Sequence, residues 1–287
     1  MWNLKDKIVI ISGATNGIGK AAALELAKEN PKILFTYRNK DLADSLVNDM
    51  KVISPDIEVH SAFCDFSNQN SIKECVTKIS QIHNKIDVLI NNAGVVNTSY
   101  HETLEGIENT FAVNHLGYFL FTNLLIPKMR SAEETRIINV SSAAHSFVKE
   151  MNWDDINFRD NFGMGVSAYG QSKLANLLFT RSLAVKLSTS NISVNAIHPG
   201  GVNTALGSQN KSKFGKVLKL ILKPFFRSPT KGAGSIIYLS TKENDGVTGE
   251  YFVDSKIAKS SSYSKNLEEA HKLWNLSEEL VKEKFIL

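Results

Sequence analysis

The sequence contains only two cysteines among its 287 residues, Cys64 and Cys75. Two isolated thiols do not make the disulfide framework of a small secreted domain, so we expect a protein of a reducing compartment. Neither cysteine belongs to a recognisable metal-binding motif of cysteines and histidines. Both are therefore predicted to be structural thiols, and the sequence indicates no metal site.

The chain also lacks long apolar runs. Residues 1–7 contain neither the apolar core of a signal peptide nor a cleavage site. No window approaches the ~18 apolar residues that a membrane span needs. We therefore expect a cytoplasmic or peripherally membrane-associated protein without a signal peptide or a transmembrane span.

Positive and negative charges nearly balance, and the formal net charge is only +4. This excess is too small to indicate a nucleic-acid partner, although it suits an anionic ligand such as a phosphorylated cofactor. Internal repeats, low-complexity segments and linkers are also absent. The sequence therefore predicts one domain over residues 1–287.

Short apolar runs alternate with longer helical stretches along the chain. This alternation predicts an α/β class and a single-domain, doubly wound Rossmann fold. Its seven-stranded parallel sheet would be flanked by helices on both faces. Residues 149–165 interrupt the alternation and are predicted to be a loop. The predicted strands are 7–12, 32–37, 57–64, 86–91, 136–141, 192–198 and 250–253, and the predicted helices are 17–29, 40–52, 70–82, about 104–129 and 168–187.

A glycine-rich turn follows the first strand, with glycines at 13, 17 and 19, and a helix begins at once. Gly13 allows a sharp turn, Gly17 brings no side chain near a pyrophosphate, and Gly19 allows close packing of the helix. The amino end of the helix would offer free N–H groups to phosphates. A ligand-free turn is the alternative, but its place at the first strand–helix connection favours a dinucleotide.

The end of the second strand distinguishes the two nicotinamide dinucleotides. An acidic residue there would hold a ribose hydroxyl of NAD, whereas this chain has Arg38 and no carboxylate before Asp41. The guanidinium of Arg38 matches a 2′-phosphate, which predicts NADP(H). A solvated surface arginine is the alternative. Asp65 ends the third strand and is predicted to accept a hydrogen bond from adenine, unless it caps a helix, for which Ser67 is better placed.

Tyr169 and Lys173 are four residues apart on a predicted helix, which places them on one face. A nearby cation favours phenolate, so we expect Lys173 to lower the pKa of Tyr169. A chance pair is the alternative, but the neighbourhood argues against it. Ser142 ends a strand, and Asn114 lies within a helix, where asparagine is unfavourable unless it serves a site or faces solvent.

These motifs resemble those of the short-chain dehydrogenase/reductase family, and the resemblance covers nearly the whole chain. The Thr-Gly-x3-Gly-x-Gly motif has Ser12 in place of the threonine, and Asn-Asn-Ala-Gly occupies 91–94. Tyr-x3-Lys occupies 169–173, and a Pro-Gly pair follows the sixth strand at 199–200.

The resemblance implies a catalytic tetrad of Asn114, Ser142, Tyr169 and Lys173. Ser142, the second serine of its pair, would position the substrate oxygen, and Tyr169 would exchange a proton with it. Lys173 would also bind the nicotinamide ribose, and Asn114 would hold a water. The implied cofactor-binding residues are Gly13, Thr15, Asn16, Gly17, Ile18, Gly19, Arg38, Asn39, Asp65, Phe66, Asn92, Ala93, Gly94, Tyr169, Lys173, Pro199, Gly200, Val202 and Thr204.

Within the family, the chain is most similar to the retinol dehydrogenase group. This implies an NADP(H)-dependent oxidoreductase acting on a small lipophilic alcohol or carbonyl, related to retinol and retinaldehyde. A hydroxysteroid or general carbonyl reductase, and a non-catalytic NADP(H)-binding sensor or scaffold, are the alternatives. By analogy with the family, a homodimer through the helices that hold Asn114 and Tyr169 is also expected.

An insertion around residues 203–229 lies where this family builds its substrate lid. Its basic and apolar part, residues 211–227, has the composition of a lid over a lipophilic substrate. The same composition is typical of helices in shallow contact with a membrane. A surface helix packed on the domain is the third alternative.

Overall fold

The computed structural model describes residues 2–201, 227–243 and 246–286. These residues form one eight-stranded sheet in the order β3-β2-β1-β4-β5-β6-β7-β8. The first seven strands are parallel, and β8 pairs antiparallel with β7. The strands are β1 (Ile8–Ile11), β2 (Lys32–Tyr37), β3 (Val59–Phe63), β4 (Val88–Asn91), β5 (Thr135–Val140), β6 (Ile192–His198), β7 (Tyr251–Val253) and β8 (Lys256–Ile257).

The α/β class and the doubly wound sheet are confirmed, but the prediction of seven strands is wrong by one. Strand β8 has two residues, both exposed. Asp254 and Ser255 join it to β7 with φ angles of +51° and +62°, the left-handed conformations of a tight hairpin. A two-residue exposed strand carries no apolar run, so the sequence pattern cannot indicate it.

Helices cover both faces of the sheet, as predicted. One apolar core joins α1, α2 and α7 to one face, and a second joins α3, α5, α6 and α8 to the other. The helices are α1 (Gly17–Ala27), α2 (Lys40–Ile53), α3 (Gln69–Ile82), α4 (Asn109–Phe111), α5 (Gly117–Met129), α6 (Val166–Lys186), α7 (Pro229–Thr241) and α8 (Leu267–Val281), with a π-helical turn at Ala112–Leu116 and 3-10 turns at Ala143–Phe147 and Tyr263–Lys265.

The helix predicted to begin near residue 104 begins later, at Asn109. The buried carboxylate of Glu108 accepts hydrogen bonds from the backbone N–H groups of Thr110 and Phe111, both at 2.7 Å. This cap satisfies two of the N–H groups that a helix start leaves unpaired. Before it, Gly106 turns the chain at a φ of +73°.

The C-terminal helix α8 packs on α5 and α6. Its Trp274 is 3% exposed, stacks on Phe179 of α6 at a centroid distance of 6.1 Å and meets Phe119 of α5 edge-on at 4.9 Å. These are the two helices through which a homodimer was expected by analogy. Because α8 of the same chain covers this face, the face gives the homodimer prediction no support.

The predicted loop at 149–165 is confirmed, since no helix or strand lies there. Gly201 precedes the expected lid and Arg227 lies near its end, and the Arg227 N–H donates to the Gly201 carbonyl at 2.6 Å. Val202, Thr204, nearly all of the lid insertion (203–229) and of the membrane-contact segment (211–227) lie outside the described residues. Within the described ranges, no helix has the length and apolar character needed to cross a membrane.

Replacing Trp274 tests how strongly α8 is anchored. We expect Trp274→Ala to lower the free energy of unfolding by about 3–5 kcal/mol, because it opens a cavity among three packed helices. Urea denaturation measures this loss. Leu267→Ala, on the same helix at a 54% exposed position, is the matched control and should change stability little. Equal effects of the two variants would contradict the packing of α8.

Candidate active site

The candidate site residues come together at the carboxyl edge of the sheet. Parallel strands all end at this edge, and the connections after β1, β4, β5 and β6 therefore meet there. The connections carry, in order, the glycine-rich turn, the Asn-Asn-Ala-Gly motif, the serine pair and the Pro-Gly pair.

Ser12 ties the glycine-rich turn to the end of β4. Its hydroxyl accepts hydrogen bonds from the backbone N–H groups of Asn92 (2.9 Å) and Ala93 (3.1 Å). The side chain of Asn92 donates in return to the carbonyls of Ser12 and Gly13, both at 3.0 Å. The serine that departs from the family motif thus has a positioning role that the sequence analysis did not assign.

Two of the glycines are required by close approach. Gly13 has a φ of +65°, and a Cβ there would lie 2.7 Å from the Cα of Ala93. A Cβ at Gly19 would overlap the side-chain amide of Asn92. The turn can reach the end of β4 only because both positions lack a side chain.

The amino end of α1 retains free hydrogen-bond donors. Asn16 caps the helix by accepting from the Gly17 N–H at 2.8 Å. No described residue accepts a hydrogen bond from the N–H groups of Ile18 or Gly19. Free N–H groups and the positive end of the helix dipole fit a phosphate group at this turn.

Arg38 follows β2 at the same edge and is exposed. Its guanidinium has no hydrogen bond or ion pair with any described residue. The next two side chains in the sequence do have partners. Asn39 caps α2 by accepting from the Leu42 N–H at 3.0 Å, and Lys40 forms an ion pair with Asp44. The five donors of Arg38 are therefore available to an anion near the turn.

Asp65 and Phe66 follow β3. One oxygen of Asp65 accepts hydrogen bonds from the backbone N–H (2.9 Å) and the hydroxyl (2.7 Å) of Ser67. Asn68, rather than Asp65 or Ser67, caps α3. The ring of Phe66 packs in the core against Phe121 at 5.3 Å, so its side chain does not face the edge.

Helix α6 carries Tyr169 and Lys173 on one face, with the Nζ of Lys173 5.7 Å from the centroid of the Tyr169 ring. Lys173 also donates to the Val140 carbonyl at the end of β5, at 3.1 Å. The two serines differ in their partners. The Ser141 hydroxyl donates to the Lys173 carbonyl at 2.8 Å, whereas the Ser142 hydroxyl accepts from the Ala144 N–H at 3.1 Å.

Asn114 lies in the π-helical turn and is fully buried, so the solvent-facing alternative is wrong. Its side chain accepts from the Val95 N–H at 2.8 Å and donates to the Val95 carbonyl at 3.0 Å. It also donates to the Ser172 hydroxyl at 3.0 Å. Asn114 therefore links the connection after β4 to the helix that carries Tyr169 and Lys173.

Burial shifts the two titratable groups in opposite directions. It raises the pKa of Tyr169 to about 12, although the neighbouring Ser142 hydroxyl opposes the rise. It lowers the pKa of Lys173 to about 7. Lys173 is predicted to lower the pKa of Tyr169, and in the protein alone any such effect is outweighed, because loss of water disfavours the charged form of each group. Tyr169 holds its proton at neutral pH.

His198, at the end of β6, is a positioning residue that the motif analysis did not include. Its Nδ1 accepts from the N–H groups of Ala143 (3.2 Å) and Gly200 (3.3 Å). Burial lowers the pKa of His198 to about 4, so the ring is neutral and can accept at physiological pH. His198 thereby joins the loop after Ser142 to the Pro199-Gly200 pair.

Apolar side chains are exposed on the segments that adjoin Ser142 and Tyr169 in the sequence. Phe147 ends the 3-10 turn that begins after Ser142, and Val166 begins α6 three residues before Tyr169. Phe147 and Met164 are each 64% exposed, and Val166 is 52% exposed. Large apolar groups with this exposure next to a polar constellation are typical of a ligand-binding rim.

The chain is similar to several known proteins. A family model described as enoyl-(acyl carrier protein) reductase matches residues 13–255. Retinol dehydrogenase 13 of Homo sapiens is 36% identical over 283 residues, which cover 97% of this chain and 85% of that protein. Retinol dehydrogenase 12 of Mus musculus is 34% identical over 279 residues, with coverages of 97% and 87%. A crystal structure of an uncharacterised protein from Mycobacterium paratuberculosis superposes with a TM-score of 0.79 at 28% identity, covering 99% of this chain and 97% of that one.

The shifted pKa of Lys173 predicts how stability depends on pH. Below about pH 7 the folded and the unfolded chain both carry the charge, and the folded chain bears its burial cost. As pH rises from about 7 toward the ordinary lysine pKa of about 10.4, only the folded chain loses the proton, so folding becomes more favourable.

Urea unfolding across this window should show that Lys173→Met removes the rise. Lys78→Met changes an exposed lysine on α3 and is the matched control that should keep it. Parallel pH profiles for the wild type and Lys173→Met would contradict the burial cost assigned to Lys173.

Proposed function

Because the chain belongs to the short-chain dehydrogenase/reductase family, we propose that it is an NADP(H)-dependent oxidoreductase that interconverts a lipophilic alcohol and its aldehyde or ketone. The family uses a nicotinamide cofactor. The observation that carries the proposal is the position of the Tyr169 hydroxyl, beside Ser142 and Lys173 at the edge where the glycine-rich turn lies.

The residues at this edge fit the cofactor. The free N–H groups of Ile18 and Gly19 receive the pyrophosphate, and Arg38 receives the 2′-phosphate of NADP(H). The second oxygen of Asp65, which makes no hydrogen bond to a described residue, accepts from the adenine. The residues at 92–94 and 199–200, with Tyr169 and Lys173, would hold the nicotinamide half.

In reduction, Tyr169 acts as the general acid. Bound nicotinamide supplies or accepts the hydride, while the protein positions the substrate and exchanges the proton. Ser142 donates a hydrogen bond to the substrate oxygen, and Tyr169 gives that oxygen its proton. A pKa raised to about 12 suits this direction, because the phenol is protonated at every physiological pH.

In oxidation, Tyr169 must instead accept a proton from the alcohol. A positive charge on Lys173 favours the phenolate and helps this step. With its pKa lowered to about 7, Lys173 exchanges its own proton near neutral pH. The Lys173–Val140 hydrogen bond keeps the amine beside the phenol in both directions.

The apolar rim supports a lipophilic substrate. Phe147, Met164 and Val166 expose apolar surface on the segments that adjoin Ser142 and Tyr169 in the sequence. Apolar lining around a few convergent polar groups is typical of pockets for small lipophilic ligands. The relatives named retinol dehydrogenases agree with retinaldehyde or a similar aldehyde as the substrate.

Turnover with a carbonyl panel tests the proposal. The panel contains retinaldehyde, a ketosteroid and a small aldehyde, and the loss of NADPH absorbance is measured. We expect retinaldehyde to give the highest kcat/KM. We expect Tyr169→Phe to lower kcat by roughly 10²–10⁴-fold, because the general acid is lost. NADPH binding, measured by fluorescence, should be unchanged.

The matched control is Tyr238→Phe, which removes a hydroxyl on α7 away from the site and should retain activity. Full turnover by Tyr169→Phe would overturn the role of Tyr169. A ketosteroid preference would instead reassign the substrate and leave the mechanism intact.

Cofactor preference depends on Arg38. We expect Arg38→Ala to raise KM for NADPH by roughly 10–100-fold, because charge-assisted hydrogen bonds of about 1.5–3 kcal/mol are lost. KM for NADH should stay unchanged, since that cofactor lacks the 2′-phosphate. Arg130→Ala, at an exposed arginine after α5, is the control. A preference of the wild type for NADH would reject this assignment.

A further inference from the structure

Three side chains with metal-ligating atoms meet at the edge of the sheet, away from the candidate active site. Glu58 precedes the edge strand β3, His60 lies near its start, and His83 caps the end of α3. One ligand atom of each side chain lies within 4.8 Å of the others. Sequence spacing gives no sign of this cluster, because 22 residues separate His60 from His83.

Two of the ligand atoms already have the spacing of a metal site. The Nε2 of His60 lies 3.2 Å from the Oε1 of Glu58. Two ligands at ~2.0–2.1 Å from a tetrahedral zinc ion are about 3.4 Å apart. The third ligand atom, on His83, lies within 4.8 Å of both.

His83 supplies an independent indication of a ligand. It is 6% exposed, and its Nε2 is buried with no hydrogen-bond partner. Buried polar atoms nearly always have a partner. The ring of His83 lies 5.6 Å from that of His60 at an interplanar angle of 77°.

Lys32 is the charged group that opposes a cation here. Its Nζ lies 2.8 Å from the Oε2 of Glu58. This contact uses the oxygen that does not face His60 and leaves Oε1 available. A hydrogen bond to the outer oxygen of a ligating carboxylate orients it, while the positive charge of Lys32 limits affinity.

We propose that Glu58, His60 and His83 bind a divalent transition-metal ion of the zinc class, with water as the fourth ligand. Two imidazoles and one carboxylate are a donor set that zinc accepts. The site lies at the amino end of β3, whereas the candidate catalytic residues follow the carboxyl ends of their strands. The ion fastens the edge strand to the end of α3 and takes no part in the reaction.

Zinc chloride titrated into the full chain tests this site. The chain is first freed of any affinity tag and treated with a chelator. Calorimetry should show one zinc ion bound per chain, and cobalt(II) in its place should give the visible absorption of a tetrahedral ion. Zinc should also raise the midpoint of thermal unfolding, because only the folded chain holds the three ligands together.

Two variants at partly exposed positions keep the test independent of folding. His60→Ala and Glu58→Gln should each weaken zinc binding at least about tenfold, since losing even an outer partner of a metal ligand costs that much. His271→Ala changes an exposed histidine on α8 and should bind like the wild type. Circular dichroism verifies that each variant folds.

The proposal is overturned if the wild type binds no zinc at millimolar concentration. It is also overturned if His60→Ala and Glu58→Gln bind as tightly as His271→Ala does. Neither outcome bears on the oxidoreductase proposal, because no activity is measured.

Discussion

The burial of Lys173 and the partial burial of Tyr169 are the constraint on which the chemistry of this site depends. In water a phenol and an amine would titrate near pH 10. Here burial moves the pKa of the phenol to about 12 and that of the amine to about 7. At neutral pH the protein therefore presents a protonated phenol next to an amine that carries a proton about half of the time. A small change in local charge is enough to alter the proton balance of the pair.

Such burial is possible only because the surroundings satisfy the polar groups. A chain of hydrogen bonds runs from Val95 through Asn114 to the Ser172 hydroxyl, which donates to the Tyr169 carbonyl at 2.7 Å. Lys173 donates to Val140 at the end of β5. The π-helical turn is what lets Asn114 reach inward, as such turns often do at functional sites. Hydrogen bonds thus join helix α6 to the connection after β4 and to the end of β5.

Structural features that depend on a local sequence pattern could be predicted from the sequence. Seven apolar runs predicted the parallel strands, and the glycine spacing predicted a turn whose close approach to Ala93 excludes a Cβ at Gly13. Helix α8 was missed although Asn266 and two following glutamates are a readable helix start. Strand β8 was missed because its two residues are exposed.

Other features depend on burial, which a sequence pattern does not report. Spacing placed Lys173 next to Tyr169 but could not tell that desolvation outweighs their attraction. For the same reason the pattern could not pair His60 with His83, which only the packing of α3 on the sheet brings together. Polar residues on different elements become a site through tertiary contacts, so their joint chemistry appears only in the folded chain.

The C-terminal helix α8 packs on these elements within the same chain. It covers α5 and α6, so the helix that carries Tyr169 and Lys173 is buried without the help of a second copy. It also contacts the loop before α6, where Glu269 accepts a hydrogen bond from the Trp153 indole at 2.8 Å. That contact holds the 149–165 loop, which leads into Val166 and the apolar rim. The same helix therefore packs on the helix that carries Tyr169 and Lys173 and holds the loop that precedes it.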